Sequence, residues 1–335
     1  MKRILSSLYS SVTGVFRKPV ADATVVRDPN RWLIWGSLPL LAVTLWIGAD
    51  LLSWYRPLTI LVLGSDSRSP GNPARSDTIM VLRADPVSRS LRGLSIPRDL
   101  YVPLSGIPVL RKDRINAALF FGDYYCGTKG LEAARETVSD VIGVPIDGVV
   151  VVHLDVVKKL VDTLGGVEVY CEKPLVDKKF NSLDGSRTYT LRFESGWNFL
   201  NGSRALEFLR TRHVDTDFGR MARNRQFFSA MAARLRSPAG AIRSPKLLPD
   251  LWRGVDTDLG ALSMLHAAWA FQRCYANDSV RWNAINRQDV LPYVTPKGAQ
   301  VLVAEPGVLR DAGKTLTGEL PESYADAGDD SIAVQ

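Results

Sequence analysis

Thr59-Ile-Leu-Val-Leu63 is a continuous apolar run closed by Gly64, and Thr78-Ile-Met-Val-Leu82 and Val149-Val-Val-Val152 repeat its character. Short unbroken apolar runs of this kind belong to strands buried on both faces. Helical patterns lie between them. Leu131, Ala134, Val138, Val141 and Ile142 recur at helical spacing and stop at Gly143, while Asp155 caps a second helix through Leu164 that ends at Gly165-Gly166. Val167-Glu-Val-Tyr-Cys171 and Tyr189-Thr-Leu-Arg-Phe193 alternate as strands do. Interleaved strands and helices predict an α/β fold, a mixed central β-sheet sandwiched by α-helices in three layers. Farther along, Asn201 caps a helix toward Arg210. Phe218 to Arg236 reads as a longer helix with Met221, Phe228, Met231 and Leu235 facing inward. Around Pro238, Pro245 and Pro249 the chain loosens, then Leu259 to Ala276 resumes helical spacing and Gly298 to Val303 reads as a late strand.

Ahead of the first strand, Trp32 to Ala49 is an uncharged stretch of 18 residues. As a helix it spans about 27 Å, close to the roughly 30 Å hydrocarbon core of a bilayer. Trp32, Trp35, Trp54 and Tyr55 stand where interfacial aromatics belong. Lys2, Arg3, Arg17, Lys18, Arg27 and Arg31, against Asp22 and Asp28 alone, keep the N-terminus cytoplasmic. The expected organisation is a cytoplasmic segment over 1–31, a transmembrane helix over 32–55 and an extracytoplasmic domain over 56–315. An acidic, disordered tail over 316–335 contains Glu319, Glu322, Asp326, Asp329 and Asp330 but no Lys or Arg.

Forty-two Lys and Arg against 35 Asp and Glu give a net charge of +7 over 335 residues, which points to an anionic partner. The single-pass topology argues against nucleic acid. Cys126, Cys171 and Cys274 lack metal-site spacing, so they are either three small buried thiols or, outside the membrane, a Cys126 to Cys171 bridge and one thiol. There is no GxxxxGK loop, no GxSxG elbow and no HExxH pair, and His153 reads as structural at a strand end.

The chemistry concentrates elsewhere. Asn201 to Arg236 carries eight arginines and no lysine, a composition suited to bidentate oxyanion recognition. Arg220, Arg223 and Asn224 share one helix face at i, i+3 and i+4. Asp66 and Asp77 flank the turn after the first strand, and Leu94-Ser-Ile-Pro-Arg-Asp99 delivers Arg98 and Asp99 at the end of another. Carboxylates for a hard cation beside arginines for phosphate describe a phosphoryl-transfer site.

The ordered motifs Asp66, Arg75-Ser-Asp-Thr-Ile79, Ser95-Ile-Pro-Arg-Asp99, Arg114-Ile-Asn-Ala117, Val161-Asp-Thr-Leu-Gly-Gly-Val167, Leu200-Asn-Gly202, Arg210-Thr-Arg212 and Asp215-Thr-Asp-Phe-Gly-Arg220 resemble LytR-CpsA-Psr proteins over roughly Leu58 to Arg236. The resemblance implies a bacterial membrane-anchored phosphotransferase. Such an enzyme moves a glycopolymer from an undecaprenyl-pyrophosphate carrier to a peptidoglycan acceptor through a phosphodiester. It further implies that Asp66 and Asp77 hold Mg²⁺ (or Mn²⁺) and that Arg75, Arg98, Arg210, Arg212 and Arg220 clamp the pyrophosphate, with Arg223 beside them. Arg114 stands where the family commonly has lysine. Asn224 stands where the pattern reads glutamine, a role that Gln226 could also fill. Asp77 or Asp99 is the candidate base, and the prenyl tail is expected against Ala117 to Phe121 and Leu131 to Ile142. Arg98→Ala is expected to abolish transfer with little loss of stability. Competing readings are a non-catalytic anchored module for anionic polymer or lipid head groups, a prenyl-pyrophosphate phosphatase, and a transcriptional attenuator.

Overall fold

The computed structural model describes residues 54–65, 75–108, 112–127, 129–182, 185–211, 214, 216–247, 254–275 and 280–319. The expected span and the acidic tail therefore lie almost wholly outside the described residues. Among those described, no helix is long and apolar enough to cross a membrane.

The three apolar runs are strands β1 (Leu58–Ser65), β2 (Ser76–Asp85) and β6 (Gly148–His153) of a six-stranded mixed sheet. Also in it are β3 (Ser90–Ile96), β11 (Val255–Thr257) and β12 (Val280–Ala284), in the order β11-β6-β1-β2-β3-β12. β1 pairs antiparallel with β2 and parallel with β6. Side chains alternate faces along each strand. Leu61, Leu63, Ile79, Val81, Leu94, Val149 and Val151 pack on one side against helices α1 (Ala117–Cys126), α2 (Gly130–Ile142) and α8 (Pro306–Thr317). On the other side Leu58 and Ile60 meet Ala267 of α7 (Ala261–Tyr275). This is the predicted three-layer arrangement.

A second core joins α3 (Leu154–Leu164), α4 (Gly202–Arg210) and α5 (Asp217–Arg236) to two ribbons. One ribbon pairs β7 (Val167–Cys171) with β10 (Gly196–Leu200), the other β8 (Leu175–Asn181) with β9 (Thr188–Phe193). Smaller antiparallel pairs are β4 (Tyr101–Pro103) with β5 (Lys112–Arg114) and β13 (Val290–Val294) with β14 (Gln300–Ala304). At Pro238, the first of the three prolines, a short helix α6 (Pro238–Arg243) forms where a loose chain is expected, and Pro249 lies outside the described residues.

Two local expectations are corrected and one open alternative is decided. His153, not Asp155, is the N-cap of α3, and Asp155 falls in its first turn, where an acid complements the helix dipole. α5 buries Arg220, Arg223, Asn224 and Phe227, whereas Met221, Phe228 and Met231 are half-buried and Leu235 is exposed. All three cysteines are free. Cys126 ends α1, its thiol hydrogen-bonding to the Gly106 carbonyl at 3.5 Å, whereas Cys171 is buried on β7 in the second core. Burial pushes the Cys171 thiol up and the Cys274 thiol up to about 11, so neither is a reactive thiolate at neutral pH.

Candidate active site

The site forms where the ends of β1, β2 and β3 meet the first turns of α5. Close packing begins at Gly64, opposite Thr78 in the register, where a Cβ would stand 3.0 Å from the Thr78 Cβ. Backbone hydrogen bonds from Ser76 N to Asn116 O (3.3 Å) and Asn116 N to Arg98 O (3.2 Å) draw the Arg114 loop against both strand ends.

Arg98 is at the centre. Its Nη1 lies 2.5 Å from Asp77 Oδ1, its Nε 3.5 Å from Asp99 Oδ2, and its Nη2 3.5 Å from Asp217 Oδ1. Asp217 also holds Arg220 at 2.9 Å, and Asp99 pairs with Arg114 at 3.2 Å. Arg114 Nη2 donates to the Gln300 carbonyl at 2.8 Å. Asn224 Nδ2 donates to Thr78 Oγ1 at 2.7 Å, stitching α5 to β2. Arg223 Nη2 donates to the Thr211 carbonyl at 2.7 Å, and the Thr211 hydroxyl donates to Asp177 Oδ2 at 2.6 Å. Arg220, Arg223 and Asn224 are each less than 8% exposed, so this face of α5 is polar because the site needs it.

Not every donor is satisfied internally. Among the described residues, Arg98 Nε, Arg114 Nε and Ser95 Oγ are buried with no hydrogen-bond partner, although both guanidinium nitrogens have a carboxylate nearby. Buried donors left this way call for an acceptor. The electrostatics are correspondingly tense. Burial pushes the Asp99 carboxyl above its ordinary value; Arg98 and Arg114 oppose this, while a hydrogen bond with Asp217 and its charge add to it. Burial alone would lower Arg98, but Asp217, Asp77 and Asp99 outweigh it and hold its protonated form more firmly.

From this polar cluster an apolar groove of about 310 Å³ runs over the sheet face. Its walls are Val62 and Met80 of the sheet, Val157 and Leu160 of α3, and Phe227, Phe228, Met231 and Leu235 of α5. Its polar end is formed by Asp77, Arg210, Arg220 and Asn224. The inward-facing residues expected of α5 are thus largely groove lining, which explains their partial burial. The segments expected to line the prenyl slot do not line this groove. Ala118, Leu119, Ala133, Ala134 and Ile142 belong to the core on the opposite face of the sheet.

Asp77, Arg98, Asp99, Arg114, Arg220 and Asn224 come together, with Arg210 at the groove mouth and Arg223 anchoring behind. Arg75 is exposed ahead of β2, and Asp66 and Arg212 lie outside the described residues. Gln226 hydrogen-bonds outward to the Tyr170 carbonyl, so Asn224 is the amide that faces the site. Asp217 and Ser95 were not singled out beforehand. Asp217 has a detectable signal, an acid in the first turn of the arginine-bearing helix. His153 is buried and bonded to Asp256 at 2.9 Å, consistent with a structural role.

The LytR_cpsA_psr family model matches residues 52–302. The polyisoprenyl-teichoic acid–peptidoglycan teichoic acid transferase TagV of Bacillus subtilis (strain 168) is 33% identical over 208 residues, 61% of this chain and 50% of that protein. TagU of Halalkalibacterium halodurans is 34% identical over 65% of each chain, and TagU of Bacillus anthracis is 31% identical over 81% of this chain and 78% of that protein. The chain thus spans between half and two thirds of the first two relatives. The crystal structure of B. subtilis TagV superposes with a TM-score of 0.63 at 27% identity, covering 79% of this chain and 97% of that one. TagT bound to LIIa-WTA shares the fold, with a TM-score of 0.60 at 22% identity over 80% of this chain and 92% of that one.

Proposed function

This chain belongs to the LytR_cpsA_psr family, and from that premise we propose that it is a membrane-anchored phosphotransferase. In this reading it takes a glycopolymer from an undecaprenyl-pyrophosphate carrier and attaches it to peptidoglycan outside the cell. The names of the relatives, teichoic acid transferases acting between a polyisoprenyl carrier and peptidoglycan, support the reaction class. One observation carries the reading for this chain: an apolar groove ends on arginines, with buried guanidinium N–H groups that lack a hydrogen-bond acceptor beside them. That combination suits an amphiphile with a long apolar tail and a doubly phosphorylated head.

The carrier's tail occupies the groove and its pyrophosphate meets Arg98, Arg114, Arg210 and Arg220. The acceptor hydroxyl oxygen attacks the phosphorus that bears the glycan. The bond from that phosphorus to the bridging oxygen breaks, prenyl monophosphate leaves, and the glycan is left on a phosphodiester. Asp99 is the better proton acceptor, because burial and Asp217 raise it even though Arg98 and Arg114 pair with it, whereas Asp77 accepts a direct hydrogen bond from Arg98. The arginines neutralise the charge on the transferred phosphoryl and leaving oxygens. For the implied magnesium, with manganese as a substitute, Asp77 offers a carboxylate at the site, one oxygen of which accepts from Arg98. Magnesium takes one or two carboxylates and completes its shell with substrate phosphate and water. Asp77 and Asp66 would hold the ion, which supplies further charge neutralisation on the pyrophosphate.

The test is to incubate the full chain in detergent with a short prenyl pyrophosphate, with and without Mg²⁺, and detect prenyl monophosphate by mass spectrometry. Metal-dependent release that is lost in Arg98→Ala and Asp77→Ala is the expected result. Binding that survives Asp77→Ala with no turnover under any condition would leave a non-catalytic module.

A further inference from the structure

The β7–β10 ribbon buries Val167, Val169 and Leu200 in the second core. Its outer face carries Tyr170, Trp197 and Phe199, which are 47%, 73% and 63% exposed. Large rings gathered in the open mark an interaction surface. They are also held in place. Tyr170 and Trp197 meet edge to face with centroids 5.4 Å apart. Phe199 packs over Gly166, at φ +91°, where a Cβ would come within 2.2 Å of the ring. Such rings offer contact area at small entropic cost.

Between this ribbon and α5 runs a groove of about 630 Å³. It uses the side of α5 opposite the apolar groove, presenting Gln226, Ala230 and Ala233 where that one takes Phe227, Met231 and Leu235. Tyr275 borders it, with the Arg236 guanidinium stacked over that ring at 5.0 Å. Glu168, Gln226 and Arg234 line it beside the rings. A hydrocarbon chain has no use for those polar groups. A pyranose strand uses both kinds of lining, because each sugar has an apolar C–H face to lie on a ring and a rim of hydroxyls and amides to hydrogen-bond.

We propose that this groove is the docking site for the acceptor, a peptidoglycan glycan strand. The proposal rests on the transferase reading, which requires a second substrate that the prenyl groove does not accommodate. Gln226 lies six residues beyond Arg220 on α5, about 9 Å along the axis and about 120° around it, so a strand seated here has to pass around α5 to bring a hydroxyl to the arginine cluster. Arg234 and Arg236 complement the carboxylates that such a strand carries.

The test uses the full chain in nanodiscs and soluble, uncrosslinked peptidoglycan strands. Binding is followed by calorimetry and prenyl-pyrophosphate cleavage is followed in parallel. Trp197→Ala and Phe199→Ala should each weaken strand binding at least tenfold while leaving cleavage unchanged, and Trp197→Phe should stay within threefold of the parent. Strand binding that still depends on Trp197 in a protein with no cleavage activity would support the platform while removing the transferase reading. Unchanged strand binding in Trp197→Ala overturns the proposal. So does brominated-lipid quenching that disappears with Trp197→Phe, which would make the ribbon a bilayer contact.

Discussion

Replacing Arg98 by alanine removes a cation shared by three carboxylates, Asp77 at 2.5 Å and Asp99 and Asp217 at 3.5 Å. The Arg98 side chain is 23% exposed. Its loss therefore falls between that of a surface pair, about 0.2–1 kcal/mol, and the one-sided removal of a buried pair, about 3–5 kcal/mol. A cost of about 2 kcal/mol is expected. For a domain of this size that lowers Tm by about 4–8 °C. That is more than the little loss of stability expected from the sequence, and the Tm measurement decides between the two. Activity should fall about 10³-fold or more, the scale of an arginine that stabilises phosphoryl transfer. The two losses have different origins and separate in a double variant. Arg98→Ala with Asp99→Asn removes a carboxylate made costly by the first change, so it should recover Tm by differential scanning calorimetry without recovering prenyl monophosphate release. An Arg98→Ala variant with unchanged Tm and activity within tenfold of the parent would refute the reasoning, as would a double variant no more stable than the single one.

Asp99 is raised by burial and by Asp217, so as a base it loses activity as pH falls through that raised value. The pH-rate profile should show an acid limb above 3.8 that disappears in Asp99→Asn. Its stability term has the opposite sense, since the folded chain holds the proton more tightly than the unfolded one. That contribution is complete below 3.8 and is lost as pH rises through the folded value, and Asp99→Asn should flatten the loss in denaturation measured against pH. Met231→Glu places a carboxylate in the apolar groove at a half-buried position. It should block prenyl-pyrophosphate binding while leaving binding of tail-free pyrophosphate unchanged, and equal loss of both would count against the groove as the tail site. Thr211→Val removes the donor to Asp177 between two fully buried residues. It should cost about 1–3 kcal/mol in urea denaturation, and an unchanged midpoint would show that Thr211 does not anchor the arginine turn.

The sheet was legible because β1, β2 and β6 are apolar on both faces, and helix stops at Gly143 and Gly165 follow local backbone chemistry. β12 and β13 were not. Val-Arg-Trp-Asn-Ala and Val-Leu-Pro-Tyr-Val lack clean alternation because each is only partly buried. The expected inward face of α5 holds only in part, Met231 both packing on the second core and lining the groove, and for an instructive reason. Hydrophobic periodicity finds apolar stripes, but it cannot tell a stripe that packs from one that lines a groove.

Motif order alone determined the family, and residue type alone determined which arginines and aspartates were candidates. Both follow from chemistry carried by individual side chains. Only the folded chain decided that Asp217 completes the Arg98 cluster, that Asn224 rather than Gln226 faces the site, and that the apolar groove lies under α5 rather than against α1 and α2. Each of these depends on which sheet face a side chain occupies and what approaches it from residues far away in the chain, as Asn224 meets Thr78 across 146 positions. Local spacing does not encode those pairings; packing does.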